Sequence, residues 1–452
     1  MDSTFLVIIQ FAVVLGFIFL GARIGGIGIG YAGGFGVLML GLLFQLPVKQ
    51  SQIPLDVILI IMSVISAISA MQSAGGLNYL INVAERFLRK NPKQITIYAP
   101  IVTYLMTFFA GTGHTAFSTL PVIAEVAKEQ GIRPSRPLSI SVISSQIAIT
   151  ASPISAAVVA MAAFLEPQGL SYLHILLISI PTTLLACVIT AYFCNFLGCE
   201  LKDDPVYQER VAAGLITKRG PQERDIGTYG KRSVAIFLVA IVIVTIYATA
   251  ISDVVAASLP DWLGPIKSYL LKPTLPRNEA IMVFMMTAAT LITFIAKLKG
   301  ENIVSTPTFR SGMTACVCVL GVAWLGNVFI GAHTEGIKVI AGDILTRYPA
   351  LLAVVFFFAS MLLYSQATTT KTLVPVALAL SASPLTIIAS FPAVSALFVL
   401  PTYPTLLAAV EMDDTGSTRI GKLVFNHPFV IPGTMTITLA VVFGFMFGSL
   451  FV

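Results

Sequence analysis

Four short stretches of Ser, Thr, Gly and Pro interrupt otherwise apolar sequence, and they hold the residues that could do chemistry. They are Gly111-Thr112-Gly113-His114-Thr115, Thr150-Ala151-Ser152-Pro153, Ser365-Gln366-Ala367-Thr368-Thr369-Thr370-Lys371-Thr372 and Pro401-Thr402-Tyr403-Pro404-Thr405. At each a helix can restart: after Thr115, after Thr369, at Pro153 with Ser152 as its cap, and at Pro404 behind Tyr403 or Thr402. A restarting helix offers unpaired N–H groups and about half a positive charge to whatever lies ahead of it. Four such ends on one cavity suit an anion, and two pseudo-symmetric pairs suit a short molecule with a carboxylate at each end. The hydroxyls can donate to carboxylate oxygens or, with unwound carbonyls, coordinate Na⁺, for which Gly111, Thr112, Thr150, Thr369 and Thr402 are the expected surroundings. H⁺ is the other coupling ion compatible with the pattern.

Two titratable groups stand in these stretches. Lys371 at bilayer depth costs ~2.5 to 3.5 kcal/mol on insertion scales, which a bound carboxylate could offset. The competing reading is a snorkelling side chain or one paired with a backbone carbonyl. His114 is read either as a ligand or proton carrier or as a satisfied interior histidine. A hydrolase reading would need a Ser and a His within hydrogen-bond reach, and His114 with Ser118 one turn on is the only tempting pair. No enzymatic role is expected.

The surrounding chain explains why polar interruptions matter. Of 452 residues, 56% are hydrophobic and 11% charged, against roughly 25% charged in soluble domains. Apolar runs such as Phe5 to Leu20, Val234 to Ile251 and Phe429 to Val452 approach the ~20 residues that span hydrocarbon as a helix. None alternates as a membrane β-strand would. The first run follows Asp2, and Arg23 lies beyond it, so it is expected to be retained rather than cleaved. The five cysteines form no C-x-x-C pair and are expected to be free thiols. The net charge of +6 describes loop cations rather than a nucleic-acid surface. Gly28-Ile29-Gly30-Tyr31-Ala32-Gly33 matches G-x-G-x-x-G but lies inside an apolar helix with no strand before it, so helix packing through Gly21, Gly25, Gly26, Gly30 and Gly34 is expected, not dinucleotide binding.

Spanning helices are expected near 4–21, 24–45, 54–73, 138–165, 172–198, 233–252, 277–297, 312–332, 385–412 and 428–451, with re-entrant hairpins at 95–130 and 349–384. That topology puts most of the 27 Lys and Arg on one side, leaving Lys49, Lys267, Lys272, Arg277, Lys338 and Arg347 on the other. The positive-inside rule then places both termini in the periplasm. Each half has three spans, an amphipathic surface helix, a hairpin, a broken span and a final span. The surface helix of the first half carries Leu77, Leu80, Ile81, Ala84, Phe87 and Leu88 on one face and Asn82, Glu85, Arg86 and Arg89 on the other; its counterpart carries Ile337, Ile340, Ala341, Ile344 and Tyr348. The halves, 1–198 and 233–452, are expected to be inverted repeats joined by a solvated linker, 199–232.

At these residues the chain resembles the anaerobic C4-dicarboxylate transporters of the Dcu family, and among them the A-type members. The resemblance rests on Gly21-Ala22-Arg23-Ile24-Gly25-Gly26-Ile27-Gly28-Ile29-Gly30, on Leu120 to Gln130, on Gln146-Ile147-Ala148-Ile149-Thr150-Ala151-Ser152-Pro153-Ile154-Ser155, on Leu363 to Ala367, on Leu400 to Thr405 and on Met412-Asp413-Asp414-Thr415-Gly416. His114-Thr115 departs toward the B-type pattern. The resemblance implies an all-α polytopic fold like that of the ion-transporter superfamily, often dimeric, with a transport unit of 95–165 and 349–412 sliding against a scaffold of 1–94, 172–198, 233–348 and 428–452. It implies an inner-membrane carrier of aspartate, fumarate, malate and succinate, by exchange or cation-coupled uptake, with an anion channel or another ion-coupled carrier of the same fold as the rival reading.

Overall fold

Apolar runs in hydrocarbon can satisfy their backbone only within helices or closed barrels, and helices are what form here. A computed structural model describes residues 3–24, 27–216, 225–251, 260, 264–380, 382–401, 403–421 and 425–451, and among them there is no strand. The first half runs α1 (Ser3–Ile24), α2 (Gly28–Leu42), α3 (Leu55–Ser73), α4 (Gly76–Lys90), α5 (Ile95–Ala110), a 3₁₀ turn Gly113–Ser118, α6 (Leu120–Glu129), α7 (Ser135–Ile147), α8 (Ala156–Leu165) and α9 (Tyr172–Cys194). After α10 (Pro205–Ala212) come α11 (Gly230–Ala250), α12 (Gly264–Leu271), α13 (Arg277–Ile295), α14 (Gly300–Val304) and α15 (Pro307–Cys318). A π turn, Val319–Ala323, leads into α16 (Trp324–Arg347), followed by α17 (Leu351–Leu363), α18 (Gln366–Ala379), α19 (Pro384–Ser390), a 3₁₀ stretch Phe391–Phe398, α20 (Pro404–Met412) and α21 (Val430–Gly448).

Five of the described helices are long and apolar enough to cross a membrane: Tyr172–Cys194, Gly230–Ala250, Arg277–Ile295, Pro307–His333 and Val430–Gly448. A sixth exists if α3 and α4, bent by 77° at their junction, count together. The bend follows from Gly75, whose φ of +85° is a left-handed conformation that an L-residue adopts at a cost. Large apolar side chains face outward on these helices, Phe294 being 83% exposed, as expected of surfaces that meet lipid. The expected spans 138–165 and 385–412 are each two helices, α7 with α8 and α19 with α20, separated by non-α backbone.

Two hydrophobic cores form. The larger joins α3 to α9, α11, α13 and the second hairpin; the smaller joins α1, α2 and α16 through Val14, Ile18, Val37, Leu40, Leu325 and Val328. Every residue of α7 is buried, its five serines included, so α7 is the post against which hairpin α5–α6 leans.

Three expectations need correction. The surface helix α4 buries Asn82 and Glu85 along with Leu77, Ile81, Ala84 and Leu88 of its apolar face, because α11 packs on it and Arg89 neutralises Glu85 at 2.8 Å. Its counterpart in the second half is not a separate helix, since α16 continues unbroken from Trp324 to Arg347 where no glycine like Gly75 turns the chain; the side chains of residues 337–346 lie outside the described set. The linker is not simply solvated. Asp204 is fully buried, bonded to Arg133 at 2.7 Å and Arg419 at 3.2 Å, and it caps α10 by accepting from Val206 N at 3.0 Å. Part of this segment is thus fastened to the α6–α7 corner and to the loop after α20; residues 217–224 lie outside the described set.

Of the expected packing glycines Gly30 makes a close contact and Gly34 does not, Gly33 joins the seam, and Gly25 and Gly26 lie outside the described residues. A Cβ on Gly33 would lie 2.4 Å from the Gly321 carbonyl carbon and one on Gly30 would lie 2.3 Å from Val317 O, whereas one on Gly34 meets nothing within 4 Å. The π turn brings the Gly321 backbone against α2, and the contact is backbone to backbone. Overpacking such a seam typically costs about 1–3 kcal/mol or more, so Gly33→Leu is expected to cut the yield of monodisperse protein and lower its unfolding midpoint, while Gly34→Leu leaves both near wild type. Equal effects would remove the seam from the account.

Burial opposes the charge on Asp204, but the Val206 N–H and the Arg133 and Arg419 guanidiniums outweigh it and hold the carboxyl below its usual value. A group depressed in the folded state adds stability that is complete above its unfolded value, about 3.9, and is lost as pH falls through its folded one. The unfolding midpoint should therefore fall more steeply with acidification below about pH 4 in the wild type than in Asp204→Asn. Parallel profiles would show that the carboxylate is not linked to folding.

Candidate substrate cavity

The interruptions read from the sequence meet at one place. A cavity of about 330 Å³ is lined by Gly111, Thr112 and Gly113 from the first tip, Ile149, Ala156 and Ala157 from the first broken span, Tyr364, Ser365, Gln366 and Ala367 from the second tip, and Tyr403 and Pro404 from the second broken span. Ile61 of α3 and Thr314, Cys318 and Val319 close its other wall. Among the described residues, no lining side chain carries a formal charge.

How the backbone reaches this cavity follows from local chemistry. α5 ends at Gly111 with φ +66° and α17 ends at Tyr364 with φ +57°, both left-handed, with their N–H groups closing on Thr107 O at 2.8 Å and Ser360 O at 3.0 Å. The two descending arms therefore stop in the same way, one on the residue type suited to it and one not. Tyr364 is held by ring contact with Tyr403, 5.6 Å between centroids, which ties the second tip to the second break.

The helices that restart are α8 and α18, and each has a serine cap. Ser155 Oγ accepts from Val158 N at 3.1 Å, and Ser365 Oγ accepts from Thr368 N at 3.2 Å. In both cases the cap serves the third peptide and leaves the first two without an intrahelical acceptor. Those first two residues, Ala156 and Ala157 in α8 and Gln366 and Ala367 in α18, are the ones that line the cavity. Their N–H groups and the positive ends of both helix dipoles are thus gathered at one opening. α20 also begins at the cavity, but with Pro404 and no side-chain cap.

Several expected positions move. The first broken span restarts at Ala156 with Ser155 as its cap, three residues beyond Pro153; Ser152 Oγ instead donates to Phe108 O at 2.7 Å, and Pro153 O accepts from the Tyr172 hydroxyl. The second tip is shorter than its threonines suggest. α18 already begins at Gln366, and the hydroxyls of Thr369 and Thr370 bond back to Ser365 O and Gln366 O, both at 2.8 Å, which lets a run of β-branched polar residues remain helical. Thr368, Thr369 and Thr370 are fully buried behind the cavity wall. Thr115 Oγ1 meets Thr107 Oγ1 at 3.1 Å and Thr112 O at 3.2 Å, and Thr150 Oγ1 donates to Ile147 O at 2.7 Å. Thr402 and the side chain of His114 lie outside the described residues.

Lys371 and Thr372 are not in the tip. They sit more than a turn along α18 in a second cavity of about 710 Å³ lined also by Gln52, Asp56, Asn327 and Gly331. Lys371 Nζ pairs with Asp56 Oδ2 at 2.9 Å, and Thr372 Oγ1 donates to Asn327 Oδ1 at 2.6 Å while Asn327 Nδ2 donates to Gln52 O at 2.8 Å. The partner of Lys371 is therefore a carboxylate of α3, neither alternative read from the sequence.

One residue beside the site, Gln146, was not among the expected candidates. Gln366 Nε2 donates to Gln146 O at 3.2 Å, and the side-chain amide of Gln146, 1% exposed, finds no protein partner among the described residues; neither do Thr368 Oγ1 and Thr405 Oγ1, both fully buried. Buried polar atoms left this way cost about 1–3 kcal/mol each and commonly mark a water, an ion or a function. Of the surroundings expected for Na⁺, Gly111 and Thr112 border the cavity, while the Thr150 and Thr369 oxygens are buried beside it with lone pairs still available.

The tip geometry can be tested directly. A methyl on Gly111 would put an L-residue in the left-handed region, at roughly 1–2 kcal/mol, and would place its Cβ 2.9 Å from Ile154 Cγ1. Gly111→Ala is therefore expected to lower thermal stability measurably in detergent, whereas Gly131→Ala, also at positive φ but with nothing within 4 Å, loses only the backbone part. Equal losses would mean that the tip is not packed against the first break.

The chain resembles known proteins along its full extent. A family model described as anaerobic C4-dicarboxylate membrane transporter matches residues 6–452. The C4-dicarboxylate transporter DcuA of Wolinella succinogenes is 59% identical over 98% of this chain and 99% of its own. The anaerobic C4-dicarboxylate transporter DcuB of Escherichia coli is 36% identical over 98% of both. Among solved structures the YdaH transporter of Alcanivorax borkumensis shares the fold with a TM-score of 0.52 at 12% identity, over 99% of each chain. The chain is thus a multi-pass integral membrane protein of the anaerobic C4-dicarboxylate transporter family, on its A-type side.

Proposed function

We propose that this chain is a secondary transporter of C4-dicarboxylates, aspartate, fumarate, malate and succinate among them, across the bacterial inner membrane. It works by exchange or by uptake coupled to Na⁺ or H⁺, with 95–165 and 349–412 moving as one unit against the remaining helices, as inverted repeats in a homodimer with both termini periplasmic. One observation carries the reading: the first two peptides of α8 and of α18 border the same uncharged cavity. Two separate helix starts give two separated sets of donors, which is what a molecule with a carboxylate at each end needs. The matching left-handed ends at Gly111 and Tyr364 support the repeat relation.

The wall formed by Ile61, Thr314, Cys318 and Val319 belongs to helices of the proposed scaffold, so substrate lies between the moving and fixed parts. Release to either side then needs only that these surfaces slide. Lys371 with Asp56 and Thr372 with Asn327 join α18 to α3 and α16 and are contacts that such a movement must break. They act on the motion, not on the substrate.

The test is exchange of labelled aspartate and succinate by proteoliposomes, with and without a Na⁺ gradient and with counter-substrate inside. Saturable flux is expected; a steady ionic conductance with no flux of any C4-dicarboxylate would end the proposal in favour of a channel. Ala156→Pro removes one cavity N–H at a helix position where proline is tolerated. A charged hydrogen bond contributes about 1.5–3 kcal/mol, so KM should rise roughly 10- to 100-fold with the fold intact. Lys371→Gln, which breaks only a half-exposed pair worth little, should leave KM within about twofold.

A further inference from the structure

The two helix starts at the substrate cavity are built alike except at one side chain. In α8 the cap is Ser155 and the first two residues are Ala156 and Ala157; in α18 the cap is Ser365 and the first two are Gln366 and Ala367. All of these first residues border the cavity. The start of α8 therefore offers a bound molecule backbone N–H groups and methyls, whereas the start of α18 adds a primary amide. The two-fold likeness of the site is broken there.

The orientation of that amide follows from its partner. Gln366 is 5% exposed, and its Nε2 donates to Gln146 O at 3.2 Å. A backbone carbonyl only accepts, so turning the amide over would set Oε1 against Gln146 O, acceptor against acceptor. Nε2 is thus committed to the protein. Oε1 receives no hydrogen bond from the described residues, yet it is not sealed in as the Gln146 amide is, and the open space that Gln366 lines is the cavity.

Among the described lining side chains this is the only carbonyl oxygen. Those of Thr112, Thr314, Ser365 and Tyr403 end in hydroxyls, which rotate and can donate as well as accept, and the Ser365 oxygen already accepts from Thr368 N at 3.2 Å. Hydroxyls and helix N–H groups serve carboxylates. An oxygen that can only accept serves a donor on the bound molecule.

We propose that Gln366 reads the substituent on C2 of the substrate, its Oε1 accepting from the ammonium of a 2-amino dicarboxylate and, less strongly, from the hydroxyl of a 2-hydroxy one. The carboxylate next to that substituent sits at the start of α18 and the distal one at the start of α8, so an unsymmetrical substrate binds in one direction. Succinate, being symmetrical, has nothing to give Oε1. The inference rests on the substrate reading above and adds a selectivity to it.

Competition against uptake of labelled succinate in proteoliposomes tests it, with unlabelled succinate, aspartate, malate and methylsuccinate as competitors. Methylsuccinate carries a methyl where aspartate carries its ammonium, so the two differ in hydrogen bonding at nearly equal size. A hydrogen bond to a charged group is worth roughly 10- to 100-fold in affinity and one between neutral groups roughly 2- to 10-fold. In the wild type aspartate is expected to outcompete methylsuccinate by the first of these factors and malate to do so by the second. Gln366→Met keeps the length of the side chain and removes its oxygen, so aspartate and malate lose those advantages while succinate and methylsuccinate stay near their wild-type values. A residue that served only to tie α18 to Gln146 would weaken all of them alike. Equal competition by aspartate and methylsuccinate in the wild type, where no variant has to fold, overturns the proposal, as does an unchanged ratio or a uniform loss in Gln366→Met. Succinate uptake by the wild type in those cases leaves the substrate reading standing; its absence ends both.

Discussion

A peptide group that leaves a helix inside hydrocarbon must find another partner or cost several kcal/mol, and the layout of this protein depends on how its four interruptions meet that demand. The first tip spends its carbonyls and hydroxyls locally, Thr115 on Thr112 and Thr107, and Thr119 on Ala116. The first break is tied to α5 through Ser152 and to α9 through the Tyr172 hydroxyl. After this local satisfaction the peptides that open α8 and α18 remain, and they are the ones at the cavity. The binding surface is thus built from helix-start peptides that local pairing leaves open.

The rest of the molecule holds those starts in place. α7, buried on every side, receives Thr103 Oγ1 through Ser141 O at 3.0 Å and Gln366 through Gln146 O, so both hairpins are referenced to one helix. At the far end of the same unit, Lys128 joins the end of α6 to Asp414 at 2.9 Å, and Asp413 gathers Thr415, Ser417 and Thr418 into a tight loop. These ties link the first hairpin to the exit of the second broken span. They are the kind of connection that lets two hairpins and two broken spans behave as one body. The glycine seam between α2 and the π turn lies on the other side, where Cys318 and Val319 also face the cavity.

Much of this was legible in the residues. Pro, Gly and Ser in apolar sequence are expensive unless they end a helix, and so the positions of all four breaks could be read. What could not be read was the register of each restart. Ser152 and Ser155 are both credible caps, and only the reach to Phe108 O decides that Ser152 is taken. The threonines from Thr368 to Thr372 look like a loop by composition, yet their hydroxyls can return to the helix's own carbonyls, and burial favours that. Lys371 looked like a cation in a tip because its partner, Asp56, is 315 residues away. Tyr364 in a left-handed turn gave no signal, since the reason for it is a ring on another break. Each miss is a choice between local alternatives made by a distant contact.

That the described cavity lining holds no charged side chain is itself a physical solution. A lysine or arginine there would hold a carboxylate strongly, but it would also stand desolvated whenever the site was empty. Helix ends attract the same anion without that penalty, because the dipole is present in the fold and its neutral N–H groups tolerate an uncharged environment. A carrier that must release its cargo on either side works best when bound and unbound states differ little in electrostatic cost. The charge nearest the second tip is accordingly displaced to the margin, Lys371 to Asp56, where both can re-pair with water as surfaces slide. In the proposed cycle, substrate affinity is set by fixed dipoles and the motion by this partly exposed ion pair, and the two can be tuned separately because they occupy different cavities.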